Sequence, residues 1–409
     1  MNASRRRFLG ASLAVGAARV ALSQEQESTA RFVKTSGKNI LAPDGGTLRL
    51  RGINLGNWFE PEGYMFHFKD GPQSVREIEA LFNELIGPAA ASEFWEMYRR
   101  NYITESDIQF ISQSGLNSVR IPLHYKFFQP GSPGFEVLDP IVAACRSARI
   151  WVVLDMHCAP GGQTGSNIDD SWCYPWLYDS EEEQKLLGDT WRRIAQHYRD
   201  EPTILGYDLL NEPIPQWPRL RKYNDKLEPL YRRVTKIIRE VDPNHCIILE
   251  AAQWDTNFKV FGPPFDANSI YEFHRYWMPP GQKAIQQYVD YRDGYNVPIW
   301  LGESGENTDE WIHQFRNLLD KNGIGWCFWP YKKMDSTSCV VSIPKPEYWD
   351  EIVKFAQLPQ RTGNAEKLVA ARPLMQHCRS ALRSLLENIP FAACKVNQGY
   401  LEALGLKAS

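Results

Sequence analysis

Leu205-Gly206-Tyr207-Asp208-Leu209-Leu210-Asn211-Glu212-Pro213 and, further along, Pro298-Ile299-Trp300-Leu301-Gly302-Glu303 are short apolar runs that each end on a glutamate. A continuous apolar run of this length, bounded by turn-forming residues, reads as a strand buried on both faces of a parallel sheet. A carboxyl at the point where such a strand meets a loop is half desolvated, so its environment can tune its pKa. Two such carboxyls on different strands of one sheet are what hydrolysis of a glycosidic bond requires. One protonates the leaving oxygen, and the other attacks or stabilises the sugar carbon.

Six more runs of the same kind flank these two. The candidate strands are Leu50–Asn54, Ser118–Pro122, Ile150–Asp155, Leu205–Leu210, Cys246–Glu250, Ser269–Phe273, Ile299–Leu301 and Gly325–Trp329. Helical patterns alternate with them. Glu105–Ser114, Leu138–Ala148, Glu181–Tyr198, Leu227–Val241, Lys283–Tyr291, Glu310–Lys321 and a closing segment near Tyr348–Gln357 have apolar residues at helical spacing. Asp139-Pro140 reads as a cap followed by proline at the first helical position. Eight strand–helix alternations predict one α/β domain, a (β/α)8 barrel over residues 31–357. An open doubly wound sheet is weaker, because no glycine-rich phosphate loop follows the first strand. Residues 358–409 read as a helical C-terminal appendage. Two loops are expected to face substrate: Trp58 to about Glu77, with Trp58, Phe59, Tyr64, Phe66 and Phe68, and Ala159 to Ser180, with Trp172, Tyr174 and Trp176.

The N-terminus reads as a targeting segment. Ser4-Arg5-Arg6-Arg7-Phe8-Leu9-Gly10 is a twin-arginine-like n-region, and the apolar stretch from Phe8 to Leu22 ends at small residues, so Gln24 would begin the mature chain. This predicts residues 1–23 as a signal and export to the periplasm or the extracellular space. Arg19 interrupts the run, which argues against a stable membrane insertion. A net charge of -3 gives no electrostatic reason to expect nucleic acid as a partner. Fourteen Trp and eighteen Tyr suit stacking on sugar rings, although large cores also bury such residues. The eight Cys show no CxxC pair and no metal-like spacing with His, so most are expected to be free; Cys378 with Cys394, and Cys158 with Cys173, are the pairs to check.

Read in order, the strand ends carry Asn54 and Trp58, Arg120, His157, Asn211-Glu212, Trp254, His274 and Tyr276, Glu303, and Trp329. A lone Arg or His at a strand end is ordinarily a satisfied structural group. Polar groups at nearly every strand end of one barrel would be costly unless they converge. The C-terminal ends of barrel strands are also where chemistry sits.

At these positions the chain resembles glycoside hydrolase family 5. The resemblance rests on Arg51–Trp58, Asn117–Pro122, Leu154–His157 with Ala159–Gly161, Leu210–Pro213, His274–Tyr276, Trp300–Glu303 and Trp326–Trp329, covering about Asn39 to Trp349. It implies a retaining double displacement with Glu212 as acid/base and Glu303 as nucleophile, without metal or other cofactor. Arg120 would keep the nucleophile ionised, and Tyr276 would donate to the same carboxylate. His274 would support the acid/base, His157 and Asn211 would bind the sugar, and Trp329 would form a stacking floor, with Trp58 and Trp254 as further substrate contacts. The substrate implied is an oligo- or polysaccharide of the β-glucan kind, and the enzyme a monomer. Arg51–Glu62 and Asp155–Gln163 are more similar to the exo-β-1,3-glucanase and β-glucosidase-like branch than to cellulases, although that branch usually has glycine where Cys158 stands. The alternatives are an endo-acting cellulase or mannanase, or a non-catalytic carbohydrate-binding barrel, which should lack one of the two carboxylates. A metal-dependent hydrolase would need His-x-His after the first strand, which ends here in Asn54.

Overall fold

A computed structural model describes residues 31–358 and 365–407. The expected leader, residues 1–23, lies outside the described residues. Eight parallel strands close into a barrel: β1 Arg51–Asn54, β2 Ser118–His124, β3 Trp151–Cys158, β4 Ile204–Asp208, β5 Cys246–Glu250, β6 Ser269–His274, β7 Ile299–Glu303 and β8 Gly325–Phe328. Each strand pairs with its sequence neighbour, and β8 pairs with β1. This is the (β/α)8 architecture expected from the alternation. Strand burial follows from helices on the outside and packed side chains within, which is why the runs are apolar rather than alternating.

The lower interior is apolar. Leu50, Val153, Leu205, Cys246, Ile248, Ile270, Trp300 and Cys327 form a cluster that also includes Val33 and Ile40 of a hairpin, Lys34–Ser36 against Asn39–Leu41, which closes the bottom of the barrel. Above it the inward positions turn polar. Asp155, Glu250 and Glu272 stand two residues beyond Val153, Ile248 and Ile270 on the same strands, and all three are fully buried.

Several predicted boundaries move. β2 and β3 run further than expected, to His124 and Cys158, while β4 stops at Asp208, so Leu209–Glu212 is already loop. The second outer helix begins a turn early, at Gly134, and Pro140 sits inside it rather than at its start. Burial of Val137 and Leu138 draws the chain into the helix before Asp139, and Pro140 lies on the exposed face. Two helices, Val75–Ile86 and Pro88–Tyr102, follow the first long loop and were not expected from the sequence. The first opens on a capping box made by Ser74 and Glu77. The C-terminal segment is helical over Ala365–Ala371, Met375–Asn388 and Gln398–Ala403, and Lys395–Val396 adds to a small sheet beside β8. All eight Cys are free, so neither candidate disulfide forms.

Candidate active site

The strand ends open into a cavity of about 600 Å³ at the C-terminal face of the barrel. Glu212, Glu303, His157, Asn211, His274, Tyr276, Trp254 and Trp329 all border it.

Glu303 ends β7 and is held at both oxygens. Arg120 donates from Nη1 to Oε1 at 2.7 Å, and the Tyr276 hydroxyl donates to Oε2 at 3.0 Å. Arg120 itself is fully buried, and its remaining donors are spread over neighbouring strands. They reach Asp208 at 2.8 Å, Glu250 at 2.7 Å, Asp155 at 3.2 Å, Asn211 at 2.9 Å and Asn54 at 3.1 Å. Burial alone would disfavour its charge, but the surrounding acidic groups, Asp155 first among them, hold its pKa well above the usual value. One fixed cation thus organises the upper barrel.

Glu212 has a different environment. It lies past the end of β4 in a left-handed conformation (φ +44°), unusual for a residue with a side chain. Its amide donates to Glu250 Oε2 at 2.6 Å, which anchors that turn. Its carboxyl meets Nδ1 of His274 at 3.0 Å. Burial pushes its pKa up to about 7, with the positive charge of His157 opposing and Glu62 reinforcing the shift. Burial pushes His274 down to about 3, so that imidazole is neutral. A carboxylate oxygen of Glu212, a ring nitrogen of His274 and a carboxylate oxygen of Glu303 lie within 4.8 Å of one another. At least one oxygen of each carboxyl thus lies within the roughly 5–5.5 Å over which direct attack operates.

His157 ends near the floor of the cavity. Its Nδ1 is 2.7 Å from Asp155, its Nε2 is 3.3 Å from the Asn211 amide, and its ring stacks on Trp329 at 5.7 Å and 10°. Against the penalty of burial, the Glu60 and Asp155 carboxylates raise its pKa well above the usual value. The Trp329 indole donates to the Tyr64 hydroxyl at 2.6 Å. Gly56 makes room for that indole, since a Cβ there would stand 2.1 Å from it.

The family profile described as Cellulase (glycosyl hydrolase family 5) matches residues 83–335. The chain belongs to glycosyl hydrolase family 5. It is therefore a retaining glycosidase. A family relative named Beta-xylosidase, from Phanerodontia chrysosporium, is 28% identical over 346 residues, 74% of this chain and 71% of that protein. Glucan 1,3-beta-glucosidase 2 from Wickerhamomyces anomalus is also 28% identical, over 59% of this chain and 60% of that protein. Among solved structures, an endogalactoceramidase superposes with a TM-score of 0.59 at 18% identity, covering 92% of this chain and 86% of that one. That likeness concerns the fold.

Two expectations for this glycosidase fail. Trp58 does not reach the cavity; it is buried against Phe59, and its indole donates to the Arg99 carbonyl at 2.7 Å. The aromatics of both long loops also serve elsewhere. Phe59, Phe66 and Phe68 are core, Trp172 lies outside under Arg76, and of the first loop's aromatics Tyr64 alone borders the cavity, beside Glu62 and Gln73. The second loop supplies Thr164, Ser166, Ile168 and Asp169 instead. Lys332, after the last barrel strand, is fully buried and paired with Asp107 at 2.6 Å. Lys333 pairs with Glu306 on the rim at 2.8 Å.

Asp208, Glu250, Glu272, Glu60 and Glu62 stand in the site without having been expected there. The first three had a signal: each is an acid inside an apolar strand, on three of the barrel strands, where burial demands compensation. Among the described residues, Glu250, Asp255, Glu272 and His274 bring possible metal-ligand atoms within 4.8 Å, as do Glu60, Glu62 and His157. For the former group, burial and then neighbouring carboxylates raise Glu250 and Glu272, so protonation offsets the charge there.

Proposed function

We propose that Glu303 is the nucleophile and Glu212 the acid/base of a double displacement on β-glucosidic bonds in glucans or glucan-derived oligosaccharides. The observation that carries this assignment is the asymmetry of the two carboxyls. Glu303 receives a guanidinium and a phenol, one on each oxygen, which compensates the charge of an attacking carboxylate. Glu212 meets a neutral imidazole and holds its proton up to about pH 7, as a general acid should. In the first step Glu303 attacks the anomeric carbon while Glu212 protonates the departing oxygen. In the second, Glu212 takes a proton from the water that releases the sugar.

Asn211 and His157 would bind hydroxyls of the reacting sugar, with Trp329 beneath it and Trp254 as a further contact. Trp58 has no part in this. Export through the twin-arginine-like leader and action as a monomer belong to the same reading, as does a barrel at 31–357 carrying a C-terminal appendage. Among the described residues no helix is long and apolar enough to cross a membrane.

Product analysis on laminarin, cellulose oligomers, β-1,6-glucan and mannan, with an aryl β-xyloside added because one relative bears that name, tests the substrate. Release of glucose from a β-glucan with its β configuration kept is expected; turnover confined to xylosides or mannans would contradict the glucan assignment. Glu303→Ala should lower turnover by roughly 10⁴-fold or more with folding intact.

A further inference from the structure

Behind His274 sits a carboxyl that double displacement does not use. Glu272 precedes His274 by two residues on β6, is fully buried, and brings Oε1 to 3.2 Å from Nε2 of the imidazole. The other ring nitrogen, Nδ1, faces Glu212 at 3.0 Å. Carboxyl, imidazole and carboxyl therefore form one line from the barrel interior to the cavity. The position is built in: a Cβ on Gly302, the residue before Glu303, would stand 1.2 Å from Glu272 Oε1.

A neutral imidazole has one N–H and one lone pair, and burial keeps His274 neutral. If Nε2 carried the hydrogen, Nδ1 could only accept, and Glu212 would have to spend its acidic hydrogen on the imidazole. If Nδ1 carries it, the imidazole donates to Glu212 Oε1, and the acidic hydrogen is left on the other oxygen for a departing group. The second arrangement needs a donor at Nε2. Glu272 is within hydrogen-bond range, whereas Glu250 at 3.6 Å and Asp255 at 3.9 Å stand beyond it. Other charges around the pair include Arg120, whose Nε is 3.4 Å from Glu272, Glu303, 3.8 Å from His274 Nδ1, and the nearby Asp208, Asp155 and His157. Burial and then the Asp208 carboxylate favour a protonated Glu272, with Arg120 opposing.

We propose that Glu272 donates its proton to Nε2 of His274, fixing the Nδ1–H tautomer and leaving the transferable hydrogen of Glu212 free for the leaving group. Glu272 is a positioning residue, and its role rests on Glu212 being the acid/base.

Glu272→Gln keeps a donor at Nε2; Glu272→Met removes it at similar size. Each is compared with Glu212→Ala on a dinitrophenyl β-glycoside, whose leaving group needs no proton, and on an alkyl β-glycoside, whose leaving group does. Glu272→Met should lose roughly tenfold or more in kcat/KM on the alkyl substrate only, while Glu272→Gln stays within about threefold on both. Equal losses of Glu272→Met on both substrates, or a Gln variant as impaired as Met, would overturn the role. If Glu212→Ala shows no dependence on leaving group, the acid/base reading itself fails and takes this one with it. If Glu212→Ala shows it and Glu272→Met does not, Glu272 alone is dismissed. Side-chain ¹⁵N spectra of the histidine-labelled wild type read the tautomer directly, whether or not the variants fold: Nδ1–H at His274 is expected, and Nε2–H would contradict the proposal.

Discussion

The same eight strands enclose two different interiors. Below, Val153, Ile248, Ile270 and Trp300 pack in an apolar plug; one inward step higher, Asp155, Glu250 and Glu272 surround Arg120. The lower layer gains from removing apolar surface from water and asks only for volume and shape. In the upper layer, desolvated charges must be compensated one by one, and truncating a partner leaves others buried and unpaired. The contrast separates the layer that holds the barrel closed from the layer that sets the two carboxyls apart.

The largest expected effect on that contrast is at Arg120. Arg120→Met leaves Asp155, Asp208, Glu250 and Glu303 without their cation, so chemical denaturation should show a loss of about 3–5 kcal/mol together with collapse of activity. An active and stable variant would mean that protons alone can compensate this layer. Ile248→Ala makes the matching cut below. Denaturation should report a loss of about 2–5 kcal/mol, with kcat/KM of the surviving folded enzyme nearly unchanged. A change in catalysis comparable to that in stability would mean that the two layers are coupled.

A finer test uses pH. Glu212 has its folded pKa raised from 4.5 to about 7, so its contribution to stability is fully present below pH 4.5 and is lost as pH rises through about 7. Glu212→Gln cannot ionise. Its stability relative to wild type should therefore climb over this window by up to about 3 kcal/mol, and stay flat if the carboxyl titrates normally. In the wild type, kcat/KM for substrates that need protonation should fall on the alkaline side of about pH 7.

How much of this is legible in the sequence follows the same division. The barrel and the convergence of Arg120, His157, Asn211, Glu212, His274, Tyr276, Glu303 and Trp329 are readable because inward strand ends recur in register with apolar runs. Asp208, Glu250 and Glu272 stand inside those runs and carried a signal of their own, an acid where the pattern demands an apolar residue. Trp58 shows the opposite failure. A tryptophan beside a strand end has the composition of a sugar platform, yet its indole finds the Arg99 carbonyl on Pro88–Tyr102, a helix with no counterpart among the expected elements. Which aromatics of a long loop turn inward depends on contacts distant in the chain. That Thr164, Ser166, Ile168 and Asp169 line the cavity where Trp172 and Trp176 were expected could not be read locally for the same reason.

Glu303 attacks and Glu212 carries the proton. Incubation with an activated 2-deoxy-2-fluoro-β-glucoside, followed by mass analysis of the intact and digested protein, separates the two roles. A single glycosyl adduct on the peptide bearing Glu303 is predicted. An adduct on Glu212, or none while the parent glucoside is still turned over, would contradict it.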